Sequence, residues 1–368
     1  MRPMPSTGAQ SLSARLLERV LAAIHAAGGW LPFDRFMALA LYEPGLGYYS
    51  RGNRQFGTMP SSGSDFVTAP ELSPLFGQTL ARQIAQALDA AGADEVIEFG
   101  AGSGALAGQL LEALGPRVRR YSIVDLSGAL RERQALTLAP WAGRVQWLDA
   151  WPEQMHGVVI GNEVLDAMPV QLLHWDGTAW FERGVVADEL SLQWADRSTP
   201  LQPPWPGPFA PGTVTEIHPQ AEAFMRSLAE RLTRGAAFFI DYGFPQGEYY
   251  HPQRTGGTLM CHRAHRSDTD PLVDVGEKDI TAHVNFSGIA LAAQDAGLTV
   301  LGYTSQARFL INCGLPELLQ AADARTQVQA QPLVAEHEMG ELFKVIGFAR
   351  GMQLDAMGFA AADRSHRL

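Results

Sequence analysis

The chain has 368 residues, of which 46% are hydrophobic and 18% are charged, and its formal net charge is −11. This length and hydrophobic content predict one large domain with insertions, or two domains. The acidic balance argues against a nucleic-acid partner, because proteins that bind nucleic acids usually carry a basic stripe. Two cysteines are too few for a secreted disulfide framework. No apolar run reaches the roughly 20 residues that a membrane-spanning helix needs.

Residues 1–90 are predicted to form an N-terminal helical region. A hydrophobic residue recurs every fourth position in the helix expected over 11–27, at Leu12, Leu16, Val20 and Ile24. A second helix is expected over 32–41. Further on, Ser73-Pro74 is typical of a helix start, and Thr68 with Glu71 three residues later has the form of a capping box.

Strands and helices alternate through the core predicted over 91–350. Strands are expected at 95–100, 120–126, 144–150, from 157 into a short helix ending at 169, and at 236–243. This alternation predicts a parallel sheet with helices on both faces. Two more strands, TVLGYTSQ and FKVIGFAR, follow near the end of the core, and 351–368 is predicted to be a C-terminal tail.

Three insertions interrupt the core. Residues 171–210 are predicted to form a β-meander with a Pro-rich connector, because Asp176-Gly177 between two apolar stretches is a strong hairpin signal. Residues 244–280 are predicted to be an irregular polar loop. A helical insertion is predicted over 307–340.

A glycine-rich turn follows the first core strand. The stretch EFGAGSGA, residues 98–105, ends a strand and opens a helix, so its backbone N–H groups can approach a ligand closely. Gly100, Gly102 and Ala105 also satisfy the dinucleotide fingerprint. Asp125, at the end of the next strand, can bind ribose hydroxyls in either interpretation. A turn that binds nothing is the remaining alternative.

Two features favour a methyltransferase that uses S-adenosyl-L-methionine (SAM). Glu98 stands two residues before the first glycine, where such enzymes carry an acid, and the chain ends in a strand–connection–strand unit. The predicted fold is therefore α/β, of the class I (Rossmann-like) methyltransferase type, with a seven-stranded, mostly parallel sheet whose last strand is antiparallel.

The place of each residue on this sheet predicts its role. Ligands bind beyond the carboxyl ends of the strands, so the glycines underlie the methionine part of SAM, Asp125 holds the ribose and Asp149 meets the adenine. Trp151 is expected either beside the adenine ring or in the core. The cofactor-binding residues predicted here are Glu98, Gly100, Gly102, Gly104, Asp125, Leu126, Asp149 and Ala150.

Several longer motifs point to one family. FMALALYEPGLGYYS, GSDFVTAPELSPLFG, EFGAGSGALA, IVDLS, GNEVLDAMPV, IDYG and GEKDITAHVNF occur in this order. Together they resemble the family of the mitochondrial complex I assembly methyltransferase and its bacterial relatives, the MidA family. The resemblance spans roughly residues 30 to 350. It implies a SAM-dependent protein arginine methyltransferase with a protein substrate.

An arginine acceptor directs attention to the carboxylates. Paired carboxylates hold a guanidinium best through bidentate hydrogen bonds. We expect Glu163, with Asp166 or Glu71, to grip the guanidinium and Asn162 to orient SAM or the attacking nitrogen. The alternative is a structural role at a helix N-terminus, with Asn162 as the cap and Glu163 as a favourable charge in the first turn. The elbow at residues 68–71, including Thr68 and Pro70, is expected to face the methionine end of SAM.

Other interpretations stay open at this stage. The alternatives are a small-molecule methyltransferase, a SAM-binding assembly chaperone and, less favoured, a nicotinamide oxidoreductase. Cys261, His262 and His265 fall short of a zinc pattern, so no metal is expected. His283 is expected to pack rather than act as a base. We expect a cytoplasmic protein of bacterial type in preference to a mitochondrial matrix protein, and an oligomer is possible.

Overall fold

A computed structural model describes residues 11–51, 68–125, 128–188, 191–263 and 265–368. The α-helices in these ranges are α1 Leu12–Ala26, α2 Phe33–Tyr42, α3 Ala69–Leu72, α4 Leu75–Ala91, α5 Ala105–Leu114, α6 Gly128–Thr137, α7 Pro219–Arg231, α8 Gln246–Tyr249, α9 Phe286–Asp295, α10 Gln306–Asn312, α11 Leu315–Ala321, α12 Ala324–Val334 and α13 Met339–Leu342.

The strands in the same ranges are β1 Leu31–Pro32, β2 Glu95–Phe99, β3 Arg120–Val124, β4 Val145–Leu148, β5 Met155–Asn162, β6 Gln171–Trp175, β7 Trp180–Asp188, β8 Ser191–Ser198, β9 Val214–Ile217, β10 Leu232–Phe244, β11 Met260–Arg263, β12 Arg266–Asp268, β13 Asp279–Thr281, β14 Val284–Asn285, β15 Thr299–Ser305 and β16 Phe343–Arg350.

The central sheet has the strand order β15-β16-β10-β5-β2-β3-β4, with β14 paired to β10 beside this path. Neighbouring strands from β10 to β4 run parallel. The last strand, β16, is antiparallel to both β10 and β15. The predicted seven-stranded, mostly parallel sheet with an antiparallel last strand is confirmed.

The sheet is buried on both faces. In β5, Val158 and Ile160 point into a core with α4 and α5, whereas Val159 points into a second core with α7 and α9. A strand covered on both sides reads as a continuous apolar run in the sequence. This is why β5 and β10 could be recognised without any alternation of polar residues.

The N-terminal helices and the inserted meander form one packed unit. Strand β1 pairs with β7 in a sheet of order β1-β7-β6-β9, and β8 pairs with β7. Leu16 and Val20 of α1 share a third hydrophobic core with Leu172 and Val185 of this sheet. The predicted hairpin forms, and the Asp176 carboxylate closes it by accepting hydrogen bonds from two backbone N–H groups. The pairing of the N-terminal region with the meander is not evident from the sequence, because β1 has only two residues.

The segment 244–280, expected to be irregular, contains α8 and a three-stranded antiparallel sheet of order β12-β11-β13. The buried side chains of Cys261 and Ile280 are paired across β11 and β13 and join the third core. Strands this short place one or two apolar residues inward, so they carry no recognisable alternation. None of the helices in the described ranges is both long and apolar enough to cross a bilayer.

Candidate active site

A cavity of about 990 Å³ lies at the carboxyl ends of the central parallel strands. This is where ligands of open α/β sheets bind. The structure brings together on its wall nine of the residues that the sequence predicts: Thr68, Pro70, Glu98, Gly100, Gly102, Asp125, Asn162, Glu163 and Asp166.

The glycine turn forms one wall of the cavity. Gly100, Gly102 and Gly104 all have positive φ angles, of 65°, 53° and 83°. A Cβ on Gly100 would lie 3.0 Å from a methyl group of Val164, so the backbone approaches the next segment closely. Gly104 is the N-cap of α5 and lies against α6, where a Cβ would come within 3.4 Å of the Gln134 Cα. It therefore serves helix packing and does not line the cavity.

Two buried carboxylates lie beside the glycine turn. Asp125 accepts a hydrogen bond from Gln134 Nε2 at 2.8 Å, and Glu98 accepts one from the Tyr121 hydroxyl at 2.7 Å. Burial, and to a smaller extent the charge of Asp125, raises the pKa of Glu98 to about 7. A fixed Asp125 carboxylate on the cavity wall is suited to hold ribose hydroxyls, as the sequence predicts.

Besides Gly104, three predicted site residues in the described ranges do not line the cavity. The carboxylate of Glu71 accepts a hydrogen bond from the Ser103 hydroxyl, which also means that the expected capping box with Thr68 does not form. Asp149 has a side chain that is 90% exposed and forms an ion pair with Arg131. Ala150 is exposed. Leu126 lies outside the described residues.

The acceptor side of the cavity is built on the turn that follows β5. Glu163 has a left-handed backbone, with φ of 54°, and Asn162 Nδ2 donates to its Oε1 at 3.0 Å. The Asp241 carboxylate, from β10, accepts hydrogen bonds from three successive backbone N–H groups at residues 164–166, at 2.9–3.3 Å. A single buried carboxylate therefore fixes the turn that carries Glu163 and Asp166.

The carboxyl group of Asp166 is only partly satisfied. Tyr242 donates its hydroxyl hydrogen to Asp166 Oδ2, whereas Asp166 Oδ1 has no hydrogen-bond partner among the described residues. The Asn162 Oδ1 atom also has no hydrogen-bond partner among the described residues. Buried polar atoms normally have partners, so these two oxygens point to a ligand with N–H or O–H donors.

Burial raises the pKa of both carboxyl groups on this turn. It raises the pKa of Glu163 to about 8, and the charge of Asp166 adds to the effect, while a hydrogen bond from Asn162 opposes it. Burial also raises the pKa of Asp166 to about 6. Perturbed carboxylates of this kind concentrate at functional sites.

The electrostatic character of the cavity is one-sided. Five carboxylates line it, and no lysine or arginine does so within the described part of the chain. His283 also lines it, and burial lowers its pKa to about 4, so its ring is neutral near pH 7. Such a lining favours cationic ligands. Within the ranges described, no three His, Cys, Asp or Glu side chains are placed to hold a metal ion.

Sequence reasoning missed several residues of the wall. Tyr42, Tyr49 and Asp279 line the cavity but come from the N-terminal region and from β13. The signal was available, since FMALALYEPGLGYYS and GEKDITAHVNF contain them. Trp151 lies on the wall as well, with its ring centre 4.5 Å from that of Phe99, so it is both part of the site and part of the aromatic packing.

Comparison with known proteins now decides the family. A family model described as "Putative S-adenosyl-L-methionine-dependent methyltransferase" matches residues 79–304. The chain belongs to this family. The methyltransferase is also 51% identical to a Burkholderia thailandensis protein whose crystal structure contains S-adenosyl-homocysteine, with a TM-score of 0.94 and 100% of each chain covered.

Curated relatives extend the family to animals. Over 330 residues the methyltransferase is 29% identical to the protein arginine methyltransferase NDUFAF7, mitochondrial, of Bos taurus, covering 78% of this chain and 70% of the relative. Its counterpart in Danio rerio is 25% identical over 401 residues, covering 96% and 92%. The resemblance to the MidA and complex I assembly family is confirmed. The cytoplasmic location that we predicted is wrong by this comparison, because these relatives are named mitochondrial.

The residues of the cavity fit the methyl donor of this family, SAM. The positive-φ glycines let the backbone approach a ligand, and Asp125 presents a buried acceptor beside them. The unpartnered Asn162 Oδ1 adds an acceptor for an amino group. The methyltransferase is a SAM-dependent enzyme, and the nicotinamide alternative is set aside.

Proposed function

We propose that this methyltransferase transfers a methyl group to a guanidinium nitrogen of an arginine in a protein substrate. The observation that carries the proposal is the pair Glu163 and Asp166, two carboxylates with raised pKa values on the wall of a cavity that no lysine or arginine lines within the described residues. A guanidinium offers N–H donors in a planar fork that matches carboxylates. The names of the curated relatives, protein arginine methyltransferases, support the same acceptor.

The protein's contribution to this reaction is to hold and aim the acceptor. When bound, SAM supplies an activated methyl group on a sulfonium sulfur. The Glu163 carboxylate and Asp166 Oδ1 accept hydrogen bonds from the guanidinium and leave one nitrogen facing the methyl group. Fixed geometry of this kind removes much of the entropic barrier to an in-line displacement.

A proton must leave as the new bond forms. The N–CH₃ bond forms while the S–CH₃ bond breaks, and the attacking nitrogen releases one proton. Glu163 can accept that proton at its carboxylate, because burial raises its pKa to about 8. A link to complex I assembly remains a prediction of the family resemblance.

The experiment identifies the methylated atom. The enzyme is incubated with methyl-tritiated SAM and a protein extract, and the labelled protein is hydrolysed in acid to amino acids. We expect the label in methylarginine. Glu163→Gln should reduce incorporation by roughly a hundredfold or more, in line with the loss of an interaction made in the transition state, while S-adenosyl-homocysteine affinity stays within about twofold.

A matched control separates catalysis from stability. Glu112→Gln removes an exposed carboxylate from α5 and should leave incorporation unchanged. Label recovered in a metabolite, or in an amino acid other than arginine, contradicts the proposal. Unchanged incorporation by Glu163→Gln removes Glu163 from the mechanism.

A further inference from the structure

A third carboxylate faces the acceptor side of the cavity from outside the methyltransferase sheet. Asp279, the first residue of β13, is 3% exposed and lines the cavity. The Tyr49 hydroxyl donates to Asp279 Oδ1 at 2.9 Å, and Tyr49 lines the same cavity. Asp279 is thus a buried acid whose orientation is set by a residue more than 200 positions away in the chain.

Backbone contacts tie this carboxylate to the turn that carries Glu163 and Asp166. The Ala282 N–H, just after β13, donates to the Asp166 carbonyl at 3.0 Å. The Tyr42 hydroxyl donates to the Ala167 carbonyl at 2.8 Å. The insertion, the N-terminal region and the turn after β5 therefore meet at one place.

The tyrosines add an aromatic wall to this place. The rings of Tyr42 and Tyr49 are stacked, with centroids 5.7 Å apart and planes 17° apart, and both line the cavity. Burial and nearby carboxylates, with Asp279 the largest charge among them, raise the pKa of both phenols well above their usual range, so both remain neutral hydrogen-bond donors. An aromatic wall beside carboxylates suits a flat cation.

Asp279 also acts on Glu163 electrostatically. Its charge is one of the causes that raise the pKa of Glu163. Like charges brought together in a buried place repel one another unless a cation lies among them. The unpartnered Asp166 Oδ1 on the same wall independently points to a donor-bearing ligand.

We propose that Asp279, oriented by Tyr49, is a specificity-determining residue that, together with the neighbouring Glu163 and Asp166, selects a cationic acceptor side chain. The proposal rests on the proposed function and deepens it. A guanidinium carries five N–H donors in a rigid planar arrangement, enough to engage several carboxylates at once. A neutral side chain of the same shape does not offset the negative charge of these carboxylates.

The test compares a charged probe with its neutral isostere. The full chain, saturated with S-adenosyl-homocysteine, is titrated with N-acetyl-arginine methylamide and, separately, with N-acetyl-citrulline methylamide. We expect the arginine probe to bind at least tenfold more tightly. Asp279→Asn should weaken the arginine probe by roughly tenfold, remove most of the discrimination and leave S-adenosyl-homocysteine affinity unchanged, because one charge-assisted hydrogen bond is lost.

Two further variants keep the result interpretable. Tyr49→Phe removes only the donor to Asp279 and should weaken the arginine probe by a few-fold. Asp295→Asn removes an exposed acid at the end of α9 and should change nothing. Retained S-adenosyl-homocysteine binding shows that each variant is folded. If Asp279→Asn does not fold, the affinity of Tyr49→Phe for the arginine probe tests the role of Asp279.

The outcomes separate this inference from the proposed function. Unchanged affinity and discrimination in both Asp279→Asn and Tyr49→Phe overturn the role of Asp279, even where methylarginine is formed. Equal or undetectable binding of the two probes to the wild-type enzyme overturns it as well. Failure of the proposed function is instead signalled by label that is not in methylarginine.

Discussion

Glu163 combines a backbone and a side chain that are both unfavourable in an ordinary fold. Its φ of 54° is rare for a residue with a side chain, and partial burial raises the pKa of its carboxyl group to about 8. Strained residues of this kind cost about 1–3 kcal/mol each and persist where the surrounding structure holds them. Here the Glu163 N–H donates to the Ile240 carbonyl at 2.9 Å, and Asp241 caps the next three residues.

The burial of this carboxyl predicts a gain in stability when its charge is removed. The folded state keeps Glu163 protonated up to a pKa of about 8, against 4.5 for the ordinary group. Its contribution to stability is therefore fully present below pH 4.5 and is lost as the pH rises to about 8. Glu163→Gln does not titrate, so it should be more stable than the wild type at pH 8, by at most about 5 kcal/mol.

The measurement is thermal or urea unfolding of both proteins across this pH range. The difference in unfolding free energy should grow between pH 5 and pH 8 and then level off. Glu112→Gln, whose carboxyl is exposed, should show no such dependence. A Glu163→Gln protein that is less stable at every pH would contradict the burial argument.

The same group predicts the pH dependence of the reaction. Glu163 must be ionised to pair with a guanidinium, and kcat/KM reports the pKa of groups in the free enzyme. We expect kcat/KM to rise by about tenfold per pH unit below pH 8 and to level off above it. Steady-state rates between pH 6 and pH 9 test this, and a flat profile would exclude Glu163 as the ionising group.

The sequence identified some of these residues and missed others for a physical reason. Glu163 and Asp166 directly follow a buried strand, and the carboxyl ends of parallel strands meet at the ligand site. Asp279 and Tyr49 lie within motifs of the family resemblance, but long-range packing brings them to this site, and no local pattern encodes that packing. Asp149 also follows a strand, but its side chain is turned outward to Arg131.

At the scale of elements, the turn after β5 depends on β10. The Asp241 carboxylate holds three backbone N–H groups of this turn, and it is completely buried. Asp241→Ala should lower the free energy of unfolding by about 3 kcal/mol or more, because several buried donors lose their partner. It should also abolish turnover, since the turn aims Glu163.

Asp176→Ala is the matched control for this prediction. Asp176 also closes a turn by accepting from backbone N–H groups, but it lies in the exposed β6–β7 hairpin. Its replacement should lower the melting temperature slightly and leave turnover intact. Full activity of Asp241→Ala would show that the turn does not need this cap.

The glycine turn yields a second prediction at this scale. Gly100→Ala places a Cβ in a positive-φ position and 3.0 Å from Val164. Positive φ is unfavourable for alanine, so the turn must shift away from the ligand. We expect S-adenosyl-homocysteine affinity to fall by roughly tenfold or more in calorimetry.

Gly143→Ala is the control for the glycine turn, because its Cβ would meet open space and its φ is not positive. Affinity should stay unchanged in that variant. Unchanged affinity in Gly100→Ala would show that close backbone approach is not required there.

Strands could be predicted from the sequence where their hydrophobic pattern extends over many residues. Strands β5 and β10 of the central sheet contain continuous apolar runs, and the predicted seven-stranded, mostly parallel sheet is confirmed. The small sheet of β11 to β13 was missed because its strands have only three or four residues. The pairing of β1 with β7 was missed because it joins residues about 150 positions apart in sequence.

At the scale of the whole molecule, the central sheet and the parts of the chain outside it line one cavity. The methyltransferase sheet supplies the glycine turn, Asp125 and the turn after β5. The N-terminal helices, the inserted meander and the small sheet share a third hydrophobic core, and the N-terminal region and the small sheet supply Tyr42, Tyr49 and Asp279 to the cavity wall. The central sheet therefore supplies the cofactor side and the turn with Glu163 and Asp166, and the parts outside the sheet add Tyr42, Tyr49 and Asp279 to the acceptor side.

The most direct test of this account is a crystal structure of the protein with S-adenosyl-homocysteine. We predict the ribose hydroxyls on Asp125, the amino-acid part against Gly100 and Gly102, and the sulfur facing the carboxylates of Glu163 and Asp166. A sulfur atom directed away from those two carboxylates, or a nucleoside bound outside this cavity, would contradict the account.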